Sequence, residues 1–328
     1  MRLHPTHEVM SKTTQCCSSF NIEVVLNFRG KYEDYLYTRY VKSTLWDFAN
    51  FIGVMINFLA ILFLLISYEA SANLEAVRSN KPLYEFGVVG GAAVVPDYPG
   101  SDESRFRYLV FPQIRYRGFR FRSDEEDSLK ARLFLNPLYG IDLGGSGSFN
   151  ANKNEARKGM KDLDWVGELG PRFYFFFVRT NKVWLRFFLP LRVAASSDLS
   201  SLTYQGLVVA PSLSLRYYFD DSKFNSVIAG VTRTHTTHQL QEFYYDVDQK
   251  YATPERAAYK STSGYMGTST SLAYIYERDH TGIYVGLGLS SFVGAANAGS
   301  PLHKADYAFA GFAGFSYLFY QSEERGYQ

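Results

Sequence analysis

Cysteine is nearly missing from this chain. Of its 328 residues only Cys16 and Cys17 are cysteines, adjacent to each other and near the start. Beyond them there is no disulfide framework, no cysteine-based zinc site and no thiol nucleophile. An excess of charge is missing too: a formal net charge of +2 offers neither the basic surplus that attracts nucleic acid nor the acidic surplus of a disordered chain. Tryptophan, with 3 residues, and methionine, with 5, are scarce. Long apolar runs are scarcer: Phe48 to Ile66 stands alone, and at a mean hydropathy of −0.17 no later stretch resembles a membrane-spanning helix. What is abundant is aromatic. With 27 Phe and 26 Tyr, aromatics reach 17 %, mixed with Gly and polar residues in a way that suits strands better than helices.

The single apolar run has two readings. About 20 apolar residues cross a bilayer as a helix, so its length alone allows a membrane anchor. Ala70-x-Ala72 follows it, however, with small residues at the two positions a signal peptidase reads, which sets the cut between Ala72 and Asn73. No Cys stands near that cut to receive lipid, which argues against a lipoprotein. On this reading 48–72 is a signal peptide and 73–83 a periplasmic N-terminal segment. Residues 1–47 form an extension without period or assignable role, and a translation start nearer Val54 or Met55 would leave it untranslated.

From Tyr84 onward the dominant signal is alternation. Val183, Leu185, Phe187, Leu189, Leu191 and Val193 are apolar, with Arg186 and Arg192 between them. Leu207, Val209, Leu213, Leu215, Tyr217 and Phe219 oppose Gly206, Ala210, Ser214 and Arg216; Leu169, Phe173, Phe175 and Phe177 oppose Glu168 and Arg172. Period two means strands with one apolar face. Many segments exceed the five or six residues usual in globular strands and reach the 9–11 that a tilted strand needs to cross a membrane. Aromatics such as Trp165, Trp184, Tyr217 to Phe219, Tyr317 and Phe319 gather at segment ends, as in interfacial girdles.

The predicted fold is all-β: a single antiparallel transmembrane β-barrel over 84–319, with about 12 strands and a range of 10–14. Strands are predicted near 84–93, 105–116, 119–123, 128–135, 138–149, 165–178, 183–195, 205–219, 224–236, 265–277, 282–294 and 306–319. Short connections at 117–118, 136–137, 180–181, 220–222 and 279–281 alternate with longer ones at 94–104, 150–164, 196–204, 237–264 and 295–305. Short periplasmic turns against longer outer loops is the outer-membrane pattern. The last strand sets Phe315, Tyr317 and Phe319 on one face, which resembles the C-terminal targeting strand that the barrel assembly machinery recognises. A tail, 320–328, follows it.

Several motifs also resemble one family. Asp97-Tyr98-Pro99-Gly100-Ser101-Asp102 with Phe111-Pro112-Gln113-Ile114-Arg115-Tyr116-Arg117-Gly118 resembles the opening of the MipA/OmpV family, named for an MltA-interacting protein. Tyr244-Tyr245, the Tyr259 to Gly264 segment and Ser300-Pro301-Leu302 are similar to its second half. The resemblance implies a barrel in the outer membrane of a Gram-negative bacterium. It also implies a scaffold that joins a murein-degrading transglycosylase to a murein synthase; other members are linked to adhesion or to small-molecule sensitivity.

The candidate site read from the residues is a basic cluster: Arg105, Arg107, Arg115, Arg117, Arg120, Arg122, Lys130 and Arg132. All take the parity opposite to the apolar one, and a cation on the lipid face costs about 2–4 kcal/mol at the midplane, so all are expected to face the lumen. Two readings follow. Either the interior attracts anions, as in a small channel or binding barrel, or these cations pair with Asp142, Glu168 and the acidic run 124–127 into a salt-bridged filling. Twelve strands lie between the eight that side chains fill and the sixteen that leave a channel. His235 and His238 differ in parity and make no metal pair on a strand; they are expected at the rim, with His280 in a turn. Ser146, in Gly144-Gly145-Ser146-Gly147-Ser148, lacks the G-x-S-x-G spacing and a partnered base. An outer-membrane lipid hydrolase is thus the rival to a non-enzyme without cofactor.

Overall fold

A computed structural model of the chain describes residues 78–118, 121–123 and 130–327. The apolar run, the expected cleavage site at Ala70, Ala72 and Asn73, Arg120 and the acidic run 124–127 lie outside them.

The wall is built from β2 (Tyr84–Pro96), β3 (Ser104–Arg117), β4 (Phe121–Ser123), β5 (Lys130–Leu135), β6 (Tyr139–Ser148), β7 (Trp165–Arg179), β8 (Val183–Ser197), β9 (Leu202–Val209), β10 (Ser212–Tyr218), β11 (Asn225–Thr236), β12 (Gly264–Arg278), β13 (Thr281–Ser291) and β14 (Tyr307–Gln321). Every neighbouring pair is antiparallel, and β14 returns to β2, so the sheet closes. Strands β9 and β10 share one place in the wall. β8 pairs with both of them, as does β11. The interruption falls at Ala210-Pro211, where proline has no N–H to give the ladder. With those two counted as one, the barrel is a closed antiparallel barrel of 12 strands.

The expected strands thus appear with their ends moved by a few residues. Among the described residues the third covers Phe121–Ser123. Period two sorts the faces as the alternation requires: Phe106, Tyr108, Val110, Leu287, Phe309 and Phe319 look outward and exposed, forming an apolar belt, while Arg115, Arg117, Asp142, Arg186, Arg216 and Ser316 are buried inside. Phe315 and Tyr317 are on the outward face of β14 with Phe319. Two aromatics assigned to the girdles are elsewhere. Trp184 and Tyr218 are 3 % and 2 % exposed, because they share parity with Arg186 and Arg216 and point into the lumen.

The turn end carries a second sheet. After Phe319, β14 continues to Gln321, and β15 (Arg325–Tyr327) turns back to pair with β1 (Arg78–Pro82). Leu83 N–H donates to the Glu324 carbonyl at 2.7 Å and Tyr84 N–H to Ser322 Oγ at 3.0 Å. The tail is therefore a strand partner for the segment that precedes the barrel.

The loop end carries α1 (His238–Tyr245), inside what the sequence suggested was an irregular connection. Leu240 and Tyr244, and Gln241 and Tyr245, repeat at i and i+4 and are the residues it buries. Eight residues inside a long loop give too short a period to recognise in the sequence.

Candidate functional site in the barrel interior

The loop-end mouth is closed by bonds between distant segments. Tyr98 Oη donates to the Leu302 carbonyl at 2.7 Å, Tyr245 Oη to the Pro99 carbonyl at 2.8 Å, and Ser300 Oγ to the Tyr245 carbonyl at 2.7 Å. Asn154 Nδ2 donates to Asp97 Oδ2 at 3.0 Å, Arg157 Nη1 to the Tyr244 carbonyl at 2.9 Å, and Asn297 Nδ2 to Gln241 Oε1 at 2.8 Å. Asp97 to Ser101, Tyr244-Tyr245 and Ser300 to Leu302, separate in sequence, thus meet at one place. Gly100 is needed there: its φ is +80°, and a Cβ would meet the His303 ring at 2.6 Å. Burial pushes the Tyr244 phenol up to about 12 and raises those of Tyr98 and Tyr245 as well; the same burial lowers Arg157. These phenols stay protonated, and those of Tyr98 and Tyr245 donate the hydrogen bonds above. Tyr98, Leu163, Val166, Val208, Leu240, Tyr244 and Met266 form the apolar core beneath them.

Below this lid the lumen is basic on one side. Arg105 Nε lies 2.7 Å from Asp97, and Arg107 reaches the Asn150 carbonyl at 2.6 Å. At the turn end Arg115 Nη2 bonds Glu277 Oε1 at 2.6 Å, and Arg117 Nη2 bonds Glu85 Oε2 at 2.5 Å. Arg122 Nη1 donates to the Tyr327 carbonyl at 3.0 Å. Arg132 faces Asp142 across the β5–β6 ladder, and Lys130 is opposite Arg122. Among the described residues these cations meet carboxylates and carbonyl oxygens, while the acidic run 124–127 lies outside them. Asp142 takes Arg172 in a two-pronged contact at 2.9 Å, and Glu168 takes Arg192 at 3.2 Å. Among the described residues, Glu85, Asp97, Glu103 and Glu277 are carboxylates that meet the cluster, and for Glu85 and Glu277 no sequence spacing shows that nearness.

Sequence reasoning passed over the opposite arc, β7, β8 and β10. Arg172 stacks on Phe188 at 4.9 Å, Arg186 on Phe188 at 5.0 Å, and Arg216 on Tyr218 at 4.8 Å. Phe176, Trp184 and Tyr218 pack edge to face beside them. Desolvated guanidinium over an aromatic face is held by about 2 kcal/mol. The even-position Arg186, Arg192 and Arg216 already marked this wall in the alternation. Among the described residues, Glu85, Asp97, Asp142, Glu168 and Glu277 are carboxylates in contact with or opposite these arginines. Across from them the lining is small and hydroxylic: Ser269 and Ser271 have lumen parity and are exposed, with Ser269 Oγ 2.8 Å from Ser290 Oγ.

His235 lies at the end of β11 against Tyr265, His238 opens α1 beside Glu242 at 3.5 Å, and His280 sits in the β12–β13 turn with Nδ1 2.7 Å from the Leu318 carbonyl. No hydrogen bond joins Ser146 to a histidine among the described residues.

The family described as MltA-interacting protein MipA matches residues 88–319. No curated protein matches the chain. Among solved structures, an outer membrane channel from Pseudomonas putida F1 is 14 % identical, with a TM-score of 0.43, covering 74 % of this chain and 97 % of that one. The outer membrane protease OmpT from Escherichia coli is 9 % identical, with a TM-score of 0.31, covering 76 % and 100 %. The outer membrane protein OprG from Pseudomonas aeruginosa is 12 % identical, with a TM-score of 0.21, covering 74 % and 99 %. Similarity that distant says nothing of substrate or activity. A closed barrel with an apolar belt, matched over 88–319, makes this chain a member of the MipA family and an outer-membrane β-barrel protein of a Gram-negative bacterium.

Proposed function

We propose that this barrel holds murein enzymes, a transglycosylase and a synthase, at the periplasmic face of the outer membrane. The family description supports the first partner. For this chain, the observation that carries the reading is the β1–β15 ribbon at the turn end. A stable contact needs roughly 800 Å² per partner, more than turns such as 180–182 and 279–280 offer. The ribbon, with Lys81, Glu323, Glu324 and Arg325 exposed, adds a charged surface beside them. Affinity purification of the full chain from solubilised envelopes is expected to recover a murein hydrolase and a murein synthase, and a chain ending at Gln321 to lose them. Recovery of neither enzyme with the full chain refutes the reading.

The lumen supports a second role, a small channel or binding barrel for anions. Arg186 and Arg216, stacked on aromatic rings in the interior, and the exposed Ser269 and Ser271 favour this. In planar bilayers under a salt gradient the reversal potential is expected to show anion preference, reduced in Arg186→Glu with Arg216→Glu. No resolvable conductance steps would sink it. Neither role needs catalysis; acyl release from phospholipid by the folded protein, lost in His235→Ala, would overturn the non-enzyme reading.

A further inference from the structure

Arg233 takes the parity opposite to that of the lumen arginines. Arg216, which faces the lumen, stands beside Ile228 in the β10–β11 ladder, so the even positions of β11 face inward and Val227, Ala229, Val231 and Arg233 face out. Arg233 is exposed. From Asn225 to Arg233 the strand runs about nine residues, the length with which a tilted strand crosses a membrane. Val231 on this stretch, Leu213 opposite it on β10 and Leu272 opposite Ala229 on β12 are exposed parts of the apolar belt. Arg233 therefore stands at the loop-end edge of the belt, at the level of the outer-leaflet headgroups.

A cation at that level commonly sits on a flexible stem with its head in water. Here the head is held. The Arg233 guanidinium lies over the Tyr265 ring, 4.4 Å from its centre, and His235 packs on the same ring at 5.5 Å. A bulge brings Tyr265 there: Thr234 pairs with Gly267 and His235 with Tyr265, so Met266 is the extra residue, and it turns into the apolar core under the lid. Such an insertion re-aims the side chain beside it. Tyr265 Oη and Thr268 Oγ1 share one hydrogen bond at 2.7 Å, which uses one hydroxyl proton and leaves the other to donate. A cation, an aromatic platform and a hydroxyl donor thus meet on one outward patch.

The other end of β12 makes the comparison. Arg278 has the same outward parity and also lies over a ring, Phe224 at 5.5 Å, but its guanidinium is 3.4 Å from Asp279. Among the described residues no carboxylate forms an ion pair with Arg233. The turn-end cation has its counter-charge in the chain, and the loop-end one faces the membrane without it.

We propose that Arg233, Tyr265 and Thr268 bind the phosphate-bearing headgroup of an outer-leaflet lipid, with its acyl chains along Val231, Leu213 and Leu272. The planar guanidinium fork meets two phosphate oxygens at once. Stacking on Tyr265 fixes the orientation of the fork before the lipid arrives, and the hydroxyl pair supplies a further donor. The acyl chains cover aliphatic side chains that already face lipid, so the headgroup alone decides which lipid is held. The site lies on the outer wall, apart from murein docking at the turn end and from the lumen, and it fails or survives independently of both.

The test titrates the delipidated full chain in detergent with lipid A, a phosphorylated glycolipid, and follows bound lipid by native mass spectrometry. Saturable binding is expected, weakened about tenfold when the phosphates are removed from the lipid, as the loss of a charge-assisted pair requires. Arg233→Gln should weaken lipid A by about the same factor and leave the dephosphorylated lipid unchanged, while Arg278→Gln should match the parent chain. Tyr265→Leu, which removes the platform and keeps the charge, should fall between them. Heat-modifiable migration reports folding of each variant, and either Arg233→Gln or Tyr265→Leu suffices to read the result. Equal affinity for the phosphorylated and dephosphorylated lipids overturns the proposal, as does a folded Arg233→Gln that binds lipid A as tightly as Arg278→Gln. Displacement of lipid A by equimolar inorganic phosphate also overturns it, since the site would then hold a free anion and not a lipid.

Discussion

Removing Glu85 should cost this barrel more than any other single carboxylate. Its side chain is 3 % exposed, takes the Arg117 guanidinium at 2.5 Å, stands 3.9 Å from Arg115 and accepts a bond from Gln321 Nε2 at 2.9 Å. Arg117 is itself 2 % exposed. Truncating one member of a buried pair costs about 3–5 kcal/mol, because it strands the other charge. Residual contacts among the described residues lower that figure: Arg117 Nη1 still donates to the Pro82 carbonyl at 2.8 Å, and Arg115 keeps Glu277. Glu85→Ala is therefore expected near 3 kcal/mol. Glu85→Gln, which keeps an acceptor and loses only the charge, should cost about 1–2 kcal/mol, the difference between a charge-assisted and a neutral bond. Leucine at both 85 and 117 should recover most of the loss, since apolar replacement of a whole buried pair is often neutral. Urea-driven unfolding in lipid vesicles, followed by tryptophan emission, measures all of these. A Glu85→Ala loss below about 0.5 kcal/mol, or a double variant weaker than the single, would refute the reasoning.

Other outcomes follow from the same contacts. Gly170→Ala should lower stability by about 1–3 kcal/mol, as overpacking does, because a Cβ there meets the Leu191 carbonyl oxygen and lies 2.8 Å from Arg192 Cα; the fraction of heat-modifiable protein reads it. Ending the chain at Gln321 removes the Glu324 carbonyl from Leu83 at 2.7 Å and the Tyr327 carbonyl from Arg122 at 3.0 Å. At about 1 kcal/mol per bond, limited proteolysis should cut 78–82 faster while the barrel still assembles. The outer loop should loosen in acid. Burial opposes ionisation of Asp246, but the Ser261 N–H at 2.7 Å and Lys260 at 2.9 Å outweigh it and hold the carboxyl below its ordinary value. A depressed carboxyl stabilises the fold above its unfolded value of about 4 and loses that as pH falls through the folded one. Protease cleavage within 247–260 should thus rise below about pH 4, and Asp246→Asn should show it at neutral pH.

The amino-acid sequence by itself determined the class of fold, because period two is local: which face of a strand each residue takes depends only on its neighbours in the chain. That parity was enough to turn Arg105, Arg107, Arg115 and Arg117 inward and Phe315, Tyr317 and Phe319 outward. It was also enough, read strictly, to put Trp184 inside with Arg186, where the girdle assignment had it at an interface. Pairing was not legible. Arg115 meets Glu277 and Tyr245 meets Pro99 across separations of 162 and 146 residues, and closure of the barrel, not spacing along the chain, brings them together. The same holds for the tail after Phe319, whose partner is the segment before Tyr84: closure of the barrel sets the two ends side by side, which no local period can show.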